Sequence, residues 1–296
     1  MNKKILISLS VIGAVAAIVV GGTIAYFSDV ETSTGNTFTA GSIDLKIDNH
    51  CYLNGDECVC TGDPEEEVCT WQSGPNIGET CTCSWSLKDL TEEEDLFFSF
   101  SDLKPGDYGE DTVSMHVYDN NAWVCAAFCN LVSDDETCVE PELEAEPGCG
   151  EPGEDGELAE NLFLVFWADV CDEYDAVPGD NIYQDECDEV IMVDYADEII
   201  PSQTYTLADP TESVFPPDLL DEEGALIGSH DYYIGKAWCF GAMDGDAFYE
   251  GEIVCDGKLV GNEAQTDSLT GDIIFYVEQS RNNPGFSCPD LCASPI

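Results

Sequence analysis

Residues 103–118 read Leu-Lys-Pro-Gly-Asp-Tyr-Gly-Glu-Asp-Thr-Val-Ser-Met-His-Val-Tyr, and this stretch decides the fold class. It begins with a turn, because Pro105 presets the backbone for one and Gly106 tolerates a positive φ. It ends with a strict alternation over residues 113–118, in which every odd position is apolar. Such an alternation is typical of a β-strand with one buried face. The stretch therefore predicts a tight turn followed by a half-buried strand.

Further strand-like segments flank this one on both sides. Ile43, Leu45 and Ile47 alternate with charged residues, and Leu162–Val170 is almost continuously apolar. Helical periodicity is not sustained anywhere, and we expect at most a short helix around Pro217–Glu223. The pattern predicts an all-β protein: an antiparallel jelly-roll-like β-sandwich with disulfide-rich and acidic loop insertions. The other expected strands are Leu96–Phe100, Trp123–Leu131, Val190–Val193, Thr204–Leu207, Tyr232–Phe240 and Ile273–Val277.

The chain contains sixteen cysteines, an even number that is typical of disulfide-bonded exported proteins. Six of them lie in residues 49–86, a segment poor in aliphatic side chains that we interpret as a disulfide-stapled insertion. Connectivity does not follow from spacing. Zinc is disfavoured because the closest cysteine pairs have CxC and not CxxC spacing, and the three histidines are widely separated. The predicted disulfide cysteines are Cys51, Cys58, Cys60, Cys69, Cys81, Cys83, Cys125, Cys129, Cys138, Cys149, Cys171, Cys187, Cys239, Cys255, Cys288 and Cys292.

The charge balance is extreme, with 62 acidic against 8 basic residues and a formal net charge of −54. Such a chain repels nucleic acid and anionic membrane surfaces, because phosphate contacts require basic patches. We therefore exclude both as partners. Two explanations of the acidity stay open: a soluble surface in a saline habitat, where counterions screen the repulsion, and the binding of divalent cations. Many of the acids lie in two predicted loops, residues 133–160 and 171–189.

The loop after Leu162–Val170 carries the kind of ligand that calcium prefers, since Ca²⁺ takes about six to eight oxygen atoms from a flexible segment. The spacing is not that of an EF-hand, so an ordinary acidic loop stapled by Cys171 and Cys187 is the alternative. Calcium is the one cofactor that the sequence suggests. Its candidate ligands are Asp169, Asp172, Asp175, Asp180, Asn181 and Asp185.

The N-terminus has the layout of a secretory signal peptide. Two lysines precede the apolar run Ile5–Val20, and small residues at positions 23 and 25 mark a cleavage site between Ala25 and Tyr26. An uncleaved membrane anchor is the alternative. We expect a secreted, extracellular or cell-surface protein without a membrane segment after cleavage. The expected organisation is a helical signal peptide over residues 1–25, an N-terminal strand region over 26–48, the cysteine-rich insertion over 49–86 and the rest of the sandwich over 87–296.

Residues 25–31 read Ala-Tyr-Phe-Ser-Asp-Val-Glu, and residues 35–45 read Gly-Asn-Thr-Phe-Thr-Ala-Gly-Ser-Ile-Asp-Leu. Together with the Leu-Lys-Pro-Gly-Asp turn at 103–107, these motifs resemble the TasA/camelysin family. The resemblance implies a jelly-roll-like sandwich, export, and processing by a signal peptidase of the SipW type. It also implies self-association into matrix fibres or pili. The cysteine-rich insertion and the extreme acidity depart from the family pattern.

In such fibres the processed N-terminal segment can pair as a donor strand with the next subunit, and here Tyr26, Phe27 and Val30 would carry that role. An open sheet edge accepts one more strand, and head-to-tail addition does not close. The alternative is that residues 26–36 form an edge strand of their own sandwich or stay disordered.

The resemblance favours a secreted structural subunit of a fibre, pilus or surface coat. A monomeric binding module for calcium, saccharide or protein is the alternative. A metallopeptidase is less favoured, although camelysin has been described as one, because the chain has neither an HExxH nor a GxSxG motif. We therefore expect no enzymatic activity and no catalytic residues.

Overall fold

The computed structural model describes residues 28–33, 36–39, 44–63, 66–90, 95–150, 156–172, 176–199 and 203–293. The predicted signal peptide, the cleavage-site pair Ala25 and Tyr26, and the candidate residues Phe27 and Asp175 lie outside these ranges. Among the described residues, no helix has the length and apolar character needed to cross a bilayer.

Strands dominate the described chain. They are β1 (Ser28–Ser33), β2 (Asn36–Thr39), β3 (Leu45–Leu53), β4 (Asp56–Thr61), β5 (Val68–Trp71), β6 (Trp85–Lys88), β7 (Tyr108–Val117), β8 (Ala122–Asp135), β9 (Leu162–Ala168), β10 (Glu189–Tyr195), β11 (Gln203–Ala208), β12 (His230–Phe240), β13 (Ala242–Met243), β14 (Cys255–Asp256) and β15 (Asp267–Gln279). The short helices are α1 (Glu140–Ala145), α2 (Leu158–Asn161), α3 (Ala196–Ile199), α4 (Gly245–Phe248) and a 3₁₀ helix at Pro217–Leu219.

The strands form two main sheets that pack face to face. The five-stranded sheet has the order β1-β2-β15-β8-β11, and the eight-stranded sheet has the order β10-β9-β12-β7-β3-β4-β5, with β6 paired to β3. The pairings are antiparallel except that of β2 with β15. The prediction of an antiparallel all-β sandwich is confirmed.

The core lies between the inward faces of the two sheets. Phe128 and Phe275 from the five-stranded sheet pack in one buried cluster with Met115, Leu164 and Trp238 from the eight-stranded sheet. The inward residues of β7 are those whose alternation predicted a half-buried strand. Burial of large apolar side chains is the main source of stability in such a sandwich.

The outer face of the five-stranded sheet is also buried, which explains the nearly continuous apolar run in β8. Residues 280–293 lie across this face, where Phe286 stacks on Trp123 with ring centroids 6.3 Å apart. The indole N–H of Trp123 donates to the carbonyl of Asn283 at 3.0 Å. Two disulfides fix this C-terminal cover to β8: Cys125–Cys288 and Cys129–Cys292.

The outer face of the eight-stranded sheet is covered around β9 in a similar way. Trp167 of β9 packs there against Tyr183 from the acidic loop and Phe248 from α4. A strand with both faces covered needs apolar residues at successive positions. This accounts for the apolar run that follows Leu162.

The cysteine-rich insertion extends the eight-stranded sheet. β3 continues past residue 48, so the expected boundary at 48/49 falls inside a strand, and β4 and β5 form a hairpin at the sheet edge. Three disulfides hold it: Cys51–Cys83, Cys58–Cys81 and Cys60–Cys69. The other three bridges are Cys138–Cys149, Cys171–Cys187 and Cys239–Cys255, so all sixteen cysteines are paired.

Candidate functional site

The N-terminal strands β1 and β2 form a hairpin at one edge of the five-stranded sheet. β2 pairs in parallel with Ile273–Tyr276 of β15, and the start of β1 pairs with the two residues that follow, up to Glu278. Val30, a predicted donor-strand residue, lies opposite Thr39 of β2. The structure thus places the segment that follows the predicted cleavage site on the sheet edge of its own sandwich.

This hairpin pairs with one edge of β15, a strand whose inward side chains belong to the core. Ile273, Phe275 and Val277 of β15 point into the main core, while β8 pairs along the opposite edge of β15. Without β1 and β2, the edge of β15 from Ile273 to Glu278 would have no neighbouring strand. An unpaired edge of this kind exposes backbone N–H and C=O groups and accepts another strand.

The opposite end of the five-stranded sheet is a second edge. β11 pairs with β8 on one side, and its last part is covered by a turn in which Val214 N–H donates to the carbonyl of Leu207 at 3.0 Å. Within the described sheet, no strand lies beyond β11. In the eight-stranded sheet β10 is an end strand as well, and its Val193 is 47% exposed.

In the predicted calcium loop, the carboxylate oxygens of Asp169 and Asp180 accept hydrogen bonds from backbone amides of the same loop. Asp169 is fully buried; its Oδ1 accepts from the N–H of Gly179 at 3.1 Å and its Oδ2 from the N–H of Asn181 at 2.7 Å. Burial raises the pKa of the Asp169 carboxyl to about 7, against the effect of these two amides. Asp180 accepts from the amides of Val177 and Ile182.

The other predicted ligands in this loop differ in burial, and Asn181 is buried. Asp172 and Asp185 are exposed, and Asp175 lies outside the described residues. Sequence reasoning missed Asp188, which is buried: its Oδ1 accepts from the N–H groups of Val170 and Cys171 and its Oδ2 from that of Gln184. Burial raises the pKa of this carboxyl. Nothing in an acid-rich segment marks one aspartate as the buried one, so no sequence signal could have found it.

Histidines would be the expected metal ligands of a metallopeptidase, so their surroundings bear on that alternative. His50 Nε2 lies 2.9 Å from Glu57 Oε1, and both side chains are partly exposed. His116 lies on the outer face of the eight-stranded sheet, with Nδ1 2.6 Å from Asp231 Oδ1 and Nε2 3.3 Å from Asp48 Oδ2. Among the described residues, no cluster of three side chains spaced for a metal ion includes a histidine.

His116 should make stability depend on pH. The hydrogen bond with Asp48 is the main factor that raises its pKa above 6.5, and Asp231 adds to it. A group whose pKa is higher in the folded state stabilises fully below its unfolded pKa, and this contribution is lost as the pH rises through the folded pKa. We expect His116→Gln to lower the free energy of unfolding by about 1 kcal/mol below pH 6.5, and by less as the pH rises above it.

The measurement is urea unfolding of the native protein and His116→Gln from pH 5 to 9. His230→Gln is the control, because that side chain is exposed and no described ion pair includes it. A difference between wild type and His116→Gln that stays constant with pH would contradict the expectation.

The comparisons with known proteins agree with the N-terminal motifs. No curated protein matches the chain at a significant level. A family description, Camelysin metallo-endopeptidase, matches residues 1–63 of the 296. The matched part includes β1, β2, β3 and β4. Over that N-terminal part the chain is similar to the camelysin family.

Proposed function

We propose that this protein is a secreted structural subunit, exported by a signal peptide that a SipW-type peptidase cleaves between Ala25 and Tyr26. In this proposal the subunits assemble into an extracellular fibre, pilus or coat through the processed N-terminal segment. One observation carries the proposal: β1 and β2, which follow the cleavage site, complete the edge of β15. The camelysin-like match over residues 1–63 supports it, and eight disulfides are typical of an oxidising, extracellular environment.

The physical basis is exchange of the edge hairpin. The hairpin can pair with β15 of its own subunit or with β15 of a neighbour, and the backbone hydrogen bonds are the same in both cases. Pairing between subunits becomes more favourable as the protein concentration rises, whereas pairing within one chain does not depend on concentration. Each subunit then offers one hairpin and one β15 edge, so addition is head to tail and produces a filament.

The test is electron microscopy and sedimentation of the oxidised secreted chain, over a range of concentrations, beside a variant that lacks residues 26–39 and therefore both strands of the hairpin. We expect filaments from the first and none from the second. A photo-crosslinking residue at Val30, in a mixture of isotopically heavy and light subunits, identifies the partner strand. Crosslinks between heavy and light chains that map to Ile273–Glu278 are the expected result, with a crosslinker at exposed Glu222 as control.

Crosslinks only within one chain, together with monomers at every concentration, would overturn assembly through this segment. A monomeric binding module for calcium, saccharide or protein would then be the better description. The matched family is described as a metallo-endopeptidase, so peptidase activity must also be tested. Casein hydrolysis by the same preparation, with and without a chelator, should stay at background; chelator-sensitive cleavage would support a peptidase instead.

A further inference from the structure

Five acidic side chains converge where β8 ends and β15 begins. We call them the carboxylate cluster: Asp135, Glu142, Glu146, Glu157 and Asp267. Asp135, the last residue of β8, lies directly opposite Asp267, the first residue of β15. Like charges directly opposite on neighbouring strands repel each other. Helix α1 supplies Glu142, and Glu146 follows that helix.

The spacing of these carboxylates suits a cation. Asp135, Glu146 and Glu157 each offer an oxygen within 4.8 Å of the other two, and so do Asp135, Glu142 and Asp267. Asp135 therefore belongs to both triads. Calcium–oxygen distances of about 2.3–2.6 Å allow ligand oxygens on one ion to be about 3–5 Å apart.

Glu142 gives an independent indication of a ligand. Its side chain is 0% exposed, and its Oε2 accepts from the N–H of Val139 at 3.0 Å and from the hydroxyl of Thr266 at 3.1 Å. Its Oε1 is buried and has no hydrogen-bond partner. A buried carboxylate oxygen without a partner is costly, so such atoms require an explanation.

The other four members repeat this feature. Each has one carboxylate oxygen that is buried without a hydrogen-bond partner: Asp135 Oδ1, Glu146 Oε2, Glu157 Oε2 and Asp267 Oδ1. Their second oxygens are partly engaged, since Asp135 Oδ2 accepts from the N–H of Gly150 and Asp267 Oδ2 from that of Leu158, both at 3.0 Å. With the bond from Val139 to Glu142, backbone amides therefore hold three of the five side chains in place.

Among the described residues, no positive side chain forms an ion pair with the carboxylate cluster. The ion pairs between described residues all involve other acids: Asp44, Asp48, Glu57, Asp95, Asp102, Asp111, Asp231 and Asp256. Burial and the neighbouring carboxylates raise the pKa of Glu157 to about 7, and burial raises that of Asp267 to about 7.

We propose that the carboxylate cluster binds Ca²⁺, with Asp135 as the ligand common to both triads. Oxygen-only donor sets suit hard cations, whereas zinc prefers nitrogen and sulfur. Calcium accepts irregular geometry, while Mg²⁺ requires a near-octahedral site. The two triads provide places for one ion or two. Bound calcium would join α1 and α2 to the ends of β8 and β15, beside the Cys138–Cys149 bridge. This site differs from the loop after β9 that the sequence suggested.

The experiment is isothermal titration of the oxidised secreted chain with CaCl₂ after removal of metals with EGTA. Working in 1 M NaCl shortens the Debye length to about 3 Å, so that diffuse attraction to the acidic surface is screened. We expect saturable binding of one or two ions per chain, and weaker binding of Mg²⁺. Glu142→Gln and Asp135→Asn should each weaken calcium binding about tenfold or more.

The melting temperature is a second readout, which distinguishes calcium ligands from residues that only support the fold. Each of these variants removes a like charge, so in EGTA its melting temperature should equal or exceed that of the wild type. With CaCl₂ the wild type should gain more than either variant. Glu222→Gln, which removes one exposed charge elsewhere, should behave as wild type.

Three outcomes would overturn the proposal. One is the absence of saturable binding in 1 M NaCl. Another is unchanged calcium affinity in Glu142→Gln and Asp135→Asn, with circular dichroism showing that both are folded. The third is a loss of affinity in Asp180→Asn instead, which would assign calcium to the loop after β9.

Discussion

Loss of both C-terminal disulfides should lower the free energy of unfolding by about 8 kcal/mol, whereas loss of either one alone should lower it by about 3 kcal/mol. Cys125–Cys288 and Cys129–Cys292 each join residues 163 positions apart. When one bridge is already formed, adding the other closes a ring of only about 10 residues. That ring consists of residues 125–129, residues 288–292 and the two bridges. The cost of losing both should therefore exceed the sum of the single costs by about 2 kcal/mol.

The measurement is a double-mutant cycle by guanidinium unfolding, with each bridge replaced by an alanine pair. Tryptophan fluorescence should change when the C-terminal cover leaves the sheet, because Phe286 stacks on Trp123, one of five tryptophans. A loss of about 8 kcal/mol is comparable with the whole stability of a domain, so the double variant is measured with a stabilising osmolyte and extrapolated.

The control cycle uses Cys138–Cys149 and Cys239–Cys255, which close separate short loops with separations of 11 and 16 residues. Their costs should add. Additive costs in the C-terminal cycle as well would show that the two long bridges do not share one loop in the unfolded chain.

Replacement of Lys236 by methionine should lower the free energy of unfolding by about 3–5 kcal/mol. Lys236 of β12 and Asp111 of β7 are both fully buried, with Nζ 3.3 Å from Asp111 Oδ2. The ammonium also donates to the carbonyl of Phe97 and lies 4.0 Å from the ring centre of Phe98. Methionine keeps the length of the side chain but leaves the buried Asp111 carboxyl without its counter-charge.

The effect should depend on pH. Burial raises the pKa of Asp111 to about 7 beside the lysine, and burial lowers the pKa of Lys236 to about 8. Without the lysine, the Asp111 pKa rises further. A raised carboxyl pKa stabilises the fold at low pH and loses that contribution as the pH rises through it. The cost of Lys236→Met should therefore increase above about pH 7.

Urea unfolding between pH 5 and 9 tests this, with Lys236→Met/Asp111→Leu as the matched variant. A buried ion pair replaced by apolar side chains is often neutral or stabilising, so the double variant should recover most of the loss. Lys258→Met is the control, because Lys258 pairs with Asp256 on the surface. A double variant as unstable as Lys236→Met would show that packing and not charge explains the loss.

The sandwich was predictable from the sequence because the pattern of apolar residues in each strand indicates which of its faces are buried. Val113 and Met115 alternate with polar residues, and the apolar run from Trp123 follows from a covered outer face. The buried ion pair was also detectable. Asp111 lies in phase with Val113, and Lys236 in phase with Ile234, so each is a charged residue at an inward position.

The carboxylate cluster was not predictable in this way. Asp135 and Asp267 meet only through the register of β8 with β15, and local acid density carries no information about that register. The same density directed attention to the loop after β9, where Asp169 binds backbone amides. The disulfide connectivity was likewise open, because the covered faces that bring Cys125 to Cys288 depend on the folded C-terminal segment.

The two long disulfides also bear on how a subunit would respond to tension along a fibre. A pull applied at the ends of the chain would pass from Cys125 to Cys288 through the sulfur atoms and bypass the chain between them, since the two residues are 163 positions apart. At about 3.5 Å per extended residue, roughly 570 Å of chain length could not be extended while the bridges are intact. The segment between these two cysteines would behave as a short, nearly inextensible link, and a reducing environment would turn it into a long tether.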